Sequence, residues 1–184
     1  SGFAERPSCP YRAPFDAVLC GQGLGDLRIR WAQDPSKCWV FQSPGQRRQI
    51  RLADCATDGD PFQRFLVPKH SGQIRLAQYP ETCLDVQGGE AEVGVAVRLF
   101  DCVVTAAGIH PNQRFELPDG LEGQVQWAKQ PHLCFAVKED ALVLDLCDEP
   151  GAHHRFLLPV SGHTELCGKG SSFSASRRGS PLLA

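Results

Sequence analysis

Apolar and polar residues alternate in three short stretches, Leu27-Arg28-Ile29-Arg30-Trp31, Ile74-Arg75-Leu76 and Val125-Gln126-Trp127. A period of two predicts a strand with one buried face. Each stretch follows a glycine by a few residues and runs straight into an alanine. The likeness continues through Ala32-Gln-Asp-Pro35-Ser-Lys-Cys38, Ala77-Gln-Tyr-Pro80-Glu-Thr-Cys83 and Ala128-Lys-Gln-Pro131-His-Leu-Cys134, where Ala, Pro and Cys recur at the same offsets. Proline fixes φ and gives the ladder no donor, so each Pro marks the place where one strand hands over to the next. A second apolar strand then ends in a second cysteine, over residues 50–55, 97–102 and 142–147. Each unit closes on Gln63-Arg64-Phe65, Gln113-Arg114-Phe115 or His154-Arg155-Phe156.

The first cysteines of the units lie 45 and 51 residues apart. That spacing is the mark of a repeat architecture whose copies share one core. No stretch carries a helical period, which predicts an all-β fold. Three units of about four short strands are best satisfied by closure into a threefold arrangement, because closure removes the exposed sheet edges. Leu27, Ile29, Trp31 and their counterparts, with Phe65, Phe115 and Phe156, are expected to fill the shared interior. The repeats span 25–68, 72–118 and 123–159 within a domain of residues 25–159. An irregular arm with Pro7, Pro10 and Pro14 precedes it over 1–24, and a Ser/Gly-rich tail over 160–184 reads as a flexible or docking segment.

Composition narrows the function. The formal charge is −2, and only Arg47-Arg48 and Arg177-Arg178 place positive residues side by side. No nucleic-acid footprint results. No apolar run approaches the roughly 18 residues of a membrane span. The chain has no methionine, which predicts a processed or trimmed chain from which any signal peptide would already be gone. Nine cysteines without a Cys-x-x-Cys pair point to disulfides and a secreted, extracellular or oxidising luminal setting. Recurrence at two places per repeat selects Cys38–Cys55, Cys83–Cys102 and Cys134–Cys147. Each closed loop is worth about 3 kcal/mol on the chain-entropy account. Cys9, Cys20 and Cys167 remain. Cys20 with Cys167 and Cys9 with Cys20 are both open pairings, and one thiol is left over.

Three in-register copies of a Cys-Leu-Asp-Val-like segment, a strand ending in Cys, and a Gln-x-Trp-like segment resemble the ricin B-type lectin family. That resemblance covers residues 25–159 and implies a β-trefoil of three pseudo-repeats. The departure is Gln-x-Phe in the first two repeats and His-x-Phe in the third, where phenylalanine still serves as a large apolar plug. The resemblance further implies a carbohydrate site in the second repeat, made of Asp85, Phe100, Asn112 and Gln113. The chemistry is coherent on its own terms. A carboxylate accepts from two adjacent pyranose hydroxyls through charge-assisted bonds. An aromatic face covers sugar C–H groups. Asn offers a donor and an acceptor to a third hydroxyl, and Gln orients the Asp or the ligand. Galactose or GalNAc suits such a site, because the axial hydroxyl leaves one face more continuously apolar. Arg98 stands where the family often has an uncharged residue and is positioned to pair with Asp85. Asn112 is the chain's only asparagine, and Asn112-Gln113-Arg114 is not a glycosylation sequon.

The other repeats lack the set. The first has Val40, Ala53 and Phe62-Gln63; the third has Ala136, Asp145 and His153-His154. A single shallow site binds a monosaccharide at around millimolar, on the order of −4 kcal/mol, so avidity calls for several copies. No enzyme motif, catalytic residue or cofactor is implied, and His153-His154 reads as a solvated turn in preference to a metal-binding pair, so no metal site is expected. The competing expectation is a structural or docking subunit of a larger extracellular or luminal assembly, bound to other protein chains, in which sugar binding is reduced or lost.

Overall fold

The computed structural model describes residues 26–41, 48–57, 60–149 and 152–159. The expected terminal arms, and with them Cys9, Cys20 and Cys167, lie outside the described residues. All three repeats are built in one order. A two-residue strand (Arg30–Trp31, Arg75–Leu76, Gln126–Trp127) turns into a long one (Asp34–Phe41, Tyr79–Val86, Gln130–Lys138). A return strand follows (Ile50–Asp54, Val97–Asp101, Ala141–Leu146). A 3-10 turn (Pro61–Gln63, Pro111–Gln113, Ala152–His154) and a final short strand (Phe65–Leu66, Phe115–Glu116, Phe156–Leu157) complete the unit.

The first strands are shorter than the alternation predicts, for one reason in all three copies. Arg30 lies opposite Cys38 while Trp31 lies opposite Asp34, and the same register jump separates Arg75 from Leu76 and Gln126 from Trp127. A bulge of this kind interrupts the ladder and bends the strand. Pairing resumes beyond it, where Ile29, Ile74 and Val125 accept through their carbonyls from Trp39, Leu84 and Phe135 at 2.8–2.9 Å. Pro35, Pro80 and Pro131 each lie second in the long strand, at its start, where a missing donor costs least.

Closure follows from how the repeats join. Phe65–Leu66 pairs with Arg75–Leu76, Phe115–Glu116 with Gln126–Trp127, and Phe156–Leu157 returns to Arg30–Trp31. The last strand of the last repeat is thus the neighbour of the first strand of the first. The alanine of each repeat phrase reinforces the joint, with Ala32, Ala77 and Ala128 donating to the carbonyls of Arg155, Arg64 and Arg114 at 2.8–3.1 Å. The three long hairpins also meet in a ring, through Gln49 with Arg98, Ala96 with Val143, and Ala141 with Arg51. This is the β-trefoil.

Its interior is aromatic. Trp39 packs at 5.0 Å from Phe156, 5.9 Å from Phe65 and 5.7 Å from Phe135, and Phe135 lies 4.8 Å from Phe115. Ile29, Ile74, Leu76, Val125 and Trp127 are buried with them. Leu27 and Trp31 are only half-buried, against the expectation that they fill the core. The register jump is common to all three repeats, and Leu76 and Trp127 at the place of Trp31 are fully buried, so the half-burial of Trp31 is particular to the first repeat.

Three disulfides, Cys38–Cys55, Cys83–Cys102 and Cys134–Cys147, each join Cα atoms 5.0 Å apart and pin the long strand to the residue at or just beyond the end of the return strand. They fit an oxidising or extracellular setting. Among the described residues no helix is long and apolar enough to cross a membrane.

Phe135 contacts aromatics contributed by the other two repeats, so its loss opens a cavity where all three meet. Phe135→Ala is expected to lower unfolding free energy by about 3–5 kcal/mol, as read from urea denaturation with the disulfides intact.

Candidate functional site

The hairpin Tyr79–Val86 with Val97–Asp101 has two faces. Leu84, Val86, Val97 and Leu99 point into the core, and alternation puts Cys83, Asp85, Arg98 and Phe100 on the other side. Asp85 lies directly opposite Arg98, and Cys83 opposite Phe100. Although it belongs to the outer face, Asp85 is only 5% exposed. The Pro111–Gln113 turn folds over it. Pro at the first position suits that turn, and the His110 ring accepts from the Asn112 N–H at 3.3 Å.

Gln113 is fully buried and its amide is used up. Its Oε1 accepts from Val103 N at 2.8 Å and from Gln73 Nε2 at 3.0 Å. Its Nε2 donates to Asp101 O at 2.8 Å and to Asp85 Oδ2 at 3.3 Å. Gln63 repeats the first half of this scheme, accepting from Ala56 N and donating to Asp54 O, both at 2.8 Å. The repeat glutamine is therefore a strut that ties the 3-10 turn to the end of the return strand. In the second repeat it also fixes the Asp85 carboxylate.

Asn112 projects beside a loop that sequence reasoning did not single out. Gly88 and Gly89 have φ of 70° and 69°, the left-handed region that favours glycine. A Cβ at Gly89 would stand 2.6 Å from both Nδ2 and Oδ1 of Asn112. The glycine is what lets the amide lie where it does, and the Gly-Gly pair just after Val86 was the available signal. Lys129 of the third repeat holds the loop from outside, donating to Gly89 O at 3.1 Å while lying 5.2 Å from the Trp127 ring. Among the described residues the Asn112 side chain makes no hydrogen bond.

Phe100 is 40% exposed and offers a ring to solvent. Arg98 lies across it. Its guanidinium carbon is 5.1 Å from the Phe100 centroid, and its Nε donates to Asp85 Oδ1 at 3.4 Å. Arginine stacks readily on aromatic faces, and a carboxylate opposite completes the attraction. The cation thus bridges the acid and the platform. The backbone of Arg98 is fixed at the seam with the first repeat, bridged to Gln49.

The structure therefore links Gln113 to Asp85, Asp85 to Arg98 and Arg98 to Phe100, and puts Asn112 at the rim beside Gly89. The arrangement can offer a fixed carboxylate, a free amide and an aromatic face to a small polar ligand. The other repeats have no acid at the place of Asp85 and no ring at the place of Phe100. Ala53 faces Cys38 and Val40 faces Arg51 in the first; Asp145 faces Cys134 and Ala136 faces Val143 in the third. The expectation of a solvated His153-His154 turn is overturned for His154, which is fully buried beneath the third repeat's hairpin, while His153 is half-exposed. It occupies the strut position that Gln113 and Gln63 hold, and that position points inward.

The sequence matches no protein-family profile and no curated protein. Solved structures do resemble the fold. The mdaA-1 domain aligns with a TM-score of 0.58 at 19% identity, over 72% of this chain and 89% of that one. A mosquitocidal holotoxin gives 0.57 at 12% over 72% of this chain and 16% of its own. The designed threefold-symmetric protein ThreeFoil gives 0.53 at 12%, over 72% and 96% of the two chains. A GlcNAcα1-4Gal-releasing endo-β-galactosidase from Clostridium perfringens gives 0.54 at 11%, over 72% of this chain and 32% of that one. At these identities the likeness is one of fold, and the fold is the β-trefoil.

Proposed function

We propose that this chain is a lectin-like carbohydrate-binding module, with one galactose- or GalNAc-type site on the outer face of the second repeat. One observation carries the reading: Asp85 is buried, held by Gln113 at 3.3 Å, and shares its face of the hairpin with the exposed Phe100 ring. Burying a carboxylate has a desolvation cost, and the bonds it gains here are long. Fold stability alone is a poor reason to keep it there. In the proposed complex Asp85 accepts from two vicinal hydroxyls, Phe100 covers the apolar sugar face, and Asn112 reaches a third hydroxyl. Two of the structures that share the fold, the holotoxin and the endo-β-galactosidase, match over only 16% and 32% of their length. That is compatible with a module working beside other parts.

Arg98 sets the affinity. A pyranose entering between acid and ring must displace or share the guanidinium. A part-exposed pair of this kind is worth about 1 kcal/mol, roughly fivefold in affinity. The same contact favours a second reading, a docking subunit whose sugar site is closed by its own arginine.

A galactose column and a glycan array separate the two. Retention on galactosides that Asp85→Ala abolishes supports the lectin, and Arg98→Ala is expected to strengthen binding by at most about fivefold. If neither the native chain nor Arg98→Ala is retained by any glycan, the docking reading stands. Gly89→Ala tests the rim separately: it must push the Asn112 amide aside and should weaken galactoside binding, with a fold cost of about 1–2 kcal/mol from the left-handed backbone. Titration calorimetry and thermal melts on the same sample distinguish those two effects.

A further inference from the structure

The third repeat places a different chemistry on the same frame. Asp145 holds the position of Phe100, opposite the first cysteine of its repeat, while His153 and His154 hold those of Asn112 and Gln113. We infer that Asp145, His153 and His154 form a binding site for a divalent transition metal of the Zn2+ class. One ligand atom from each lies within 4.8 Å of the others. His154 Nε2 is 3.9 Å from Asp145 Oδ2, and the two imidazole rings are 4.1 Å apart between centroids, tilted by 40°. Tetrahedral zinc with bonds of about 2.0–2.1 Å wants its ligand atoms about 3.3 Å apart. A contraction of roughly 1.5 Å at most, within reach of side-chain rotation, brings the three together.

Three further features suit an ion. Asp145 Oδ1 accepts from Leu146 N at 2.8 Å, which orients the carboxylate and leaves Oδ2 on the histidine side. An outer hydrogen bond that fixes a ligating carboxylate is a usual companion of metal sites. The Cys134–Cys147 disulfide anchors the strand two residues beyond Asp145. Asp145 and His153 also line an open cleft of about 370 Å³, together with Trp31, Lys138 and Glu139. The cleft gives the ion an entry path and leaves room for a water or an outside ligand at the fourth position, as in sites with three protein ligands. Two imidazoles with one carboxylate select zinc, copper or nickel over magnesium and calcium, which take all-oxygen sets. The glycan site of the second repeat shares none of these three residues, so this site stands or falls apart from it.

The test uses the full chain with its disulfides intact, titrated with ZnCl2 by calorimetry and with CoCl2 by visible absorption. The expected result is one saturable metal per chain, indifferent to excess Mg2+, with Co2+ bands of a low-symmetry, tetrahedral-type site. Asp145→Asn and His153→Ala should each weaken binding at least about tenfold, whereas His132→Ala, an exposed histidine of the neighbouring strand, should leave it unchanged. His153 is half-exposed and its variant is expected to fold, so it carries the test should Asp145→Asn melt early. Absence of saturable binding, Mg2+ competition, or affinity untouched by both variants overturns the site.

Discussion

The contact on which the architecture rests is the pairing of Phe156–Leu157 with Arg30–Trp31. Strands only two residues long gain little from their own hydrogen bonds, and any left at an edge would expose unpaired backbone. By returning the last strand to the first, the chain abolishes that edge and encloses a core lined by Trp39, Phe65, Phe115, Phe135 and Phe156. The ring of contacts among the three hairpins, Gln49 to Arg98, Ala96 to Val143 and Ala141 to Arg51, repeats the closure at the opposite end of the units. The disulfides then fasten each hairpin at the end away from that ring.

On this frame the inward positions are nearly constant and the outward ones differ. Residues opposite the first cysteine are Ala53, Phe100 and Asp145, and those just before the strut, in the turn itself, are Phe62, Asn112 and His153. The first repeat presents small and apolar groups, the second an acid, a ring and an amide, and the third an acid and the His153 imidazole, with the His154 strut directly beneath. The scaffold needs only that the strut position be filled from within, and Gln63, Gln113 and His154 are all buried there. Outward positions are free of that demand. Three surfaces of different chemistry can therefore coexist without disturbing the shared core.

Arg98 shows how the two demands meet. Its backbone belongs to the closure, bridged to Gln49, while its side chain answers to the site, spanning Asp85 and Phe100. Its equivalent in the first repeat, Arg51, faces Val40 instead of an acid and reaches Asp140 at 2.7 Å. The same residue type at the same place is a surface ion pair in one repeat and a bridge across a candidate binding face in another. What differs is the residue opposite.

Much of this was written in the chain. Period-two alternation, the Ala-Pro-Cys spacing and the paired cysteines determined three copies of one strand-rich unit, because each is a local property that recurs at a fixed interval. Recurrence also indicated which cysteines meet and which residues share a face. Tertiary structure alone decided the rest: that Gln113 is consumed as a strut, that the Arg98 cation stacks on Phe100, that Gly89 makes room for Asn112, and that His154 is buried against Asp145. Each of those depends on the distance between side chains that belong to different elements. Spacing along the chain sets which face a side chain takes, and only packing sets what it touches.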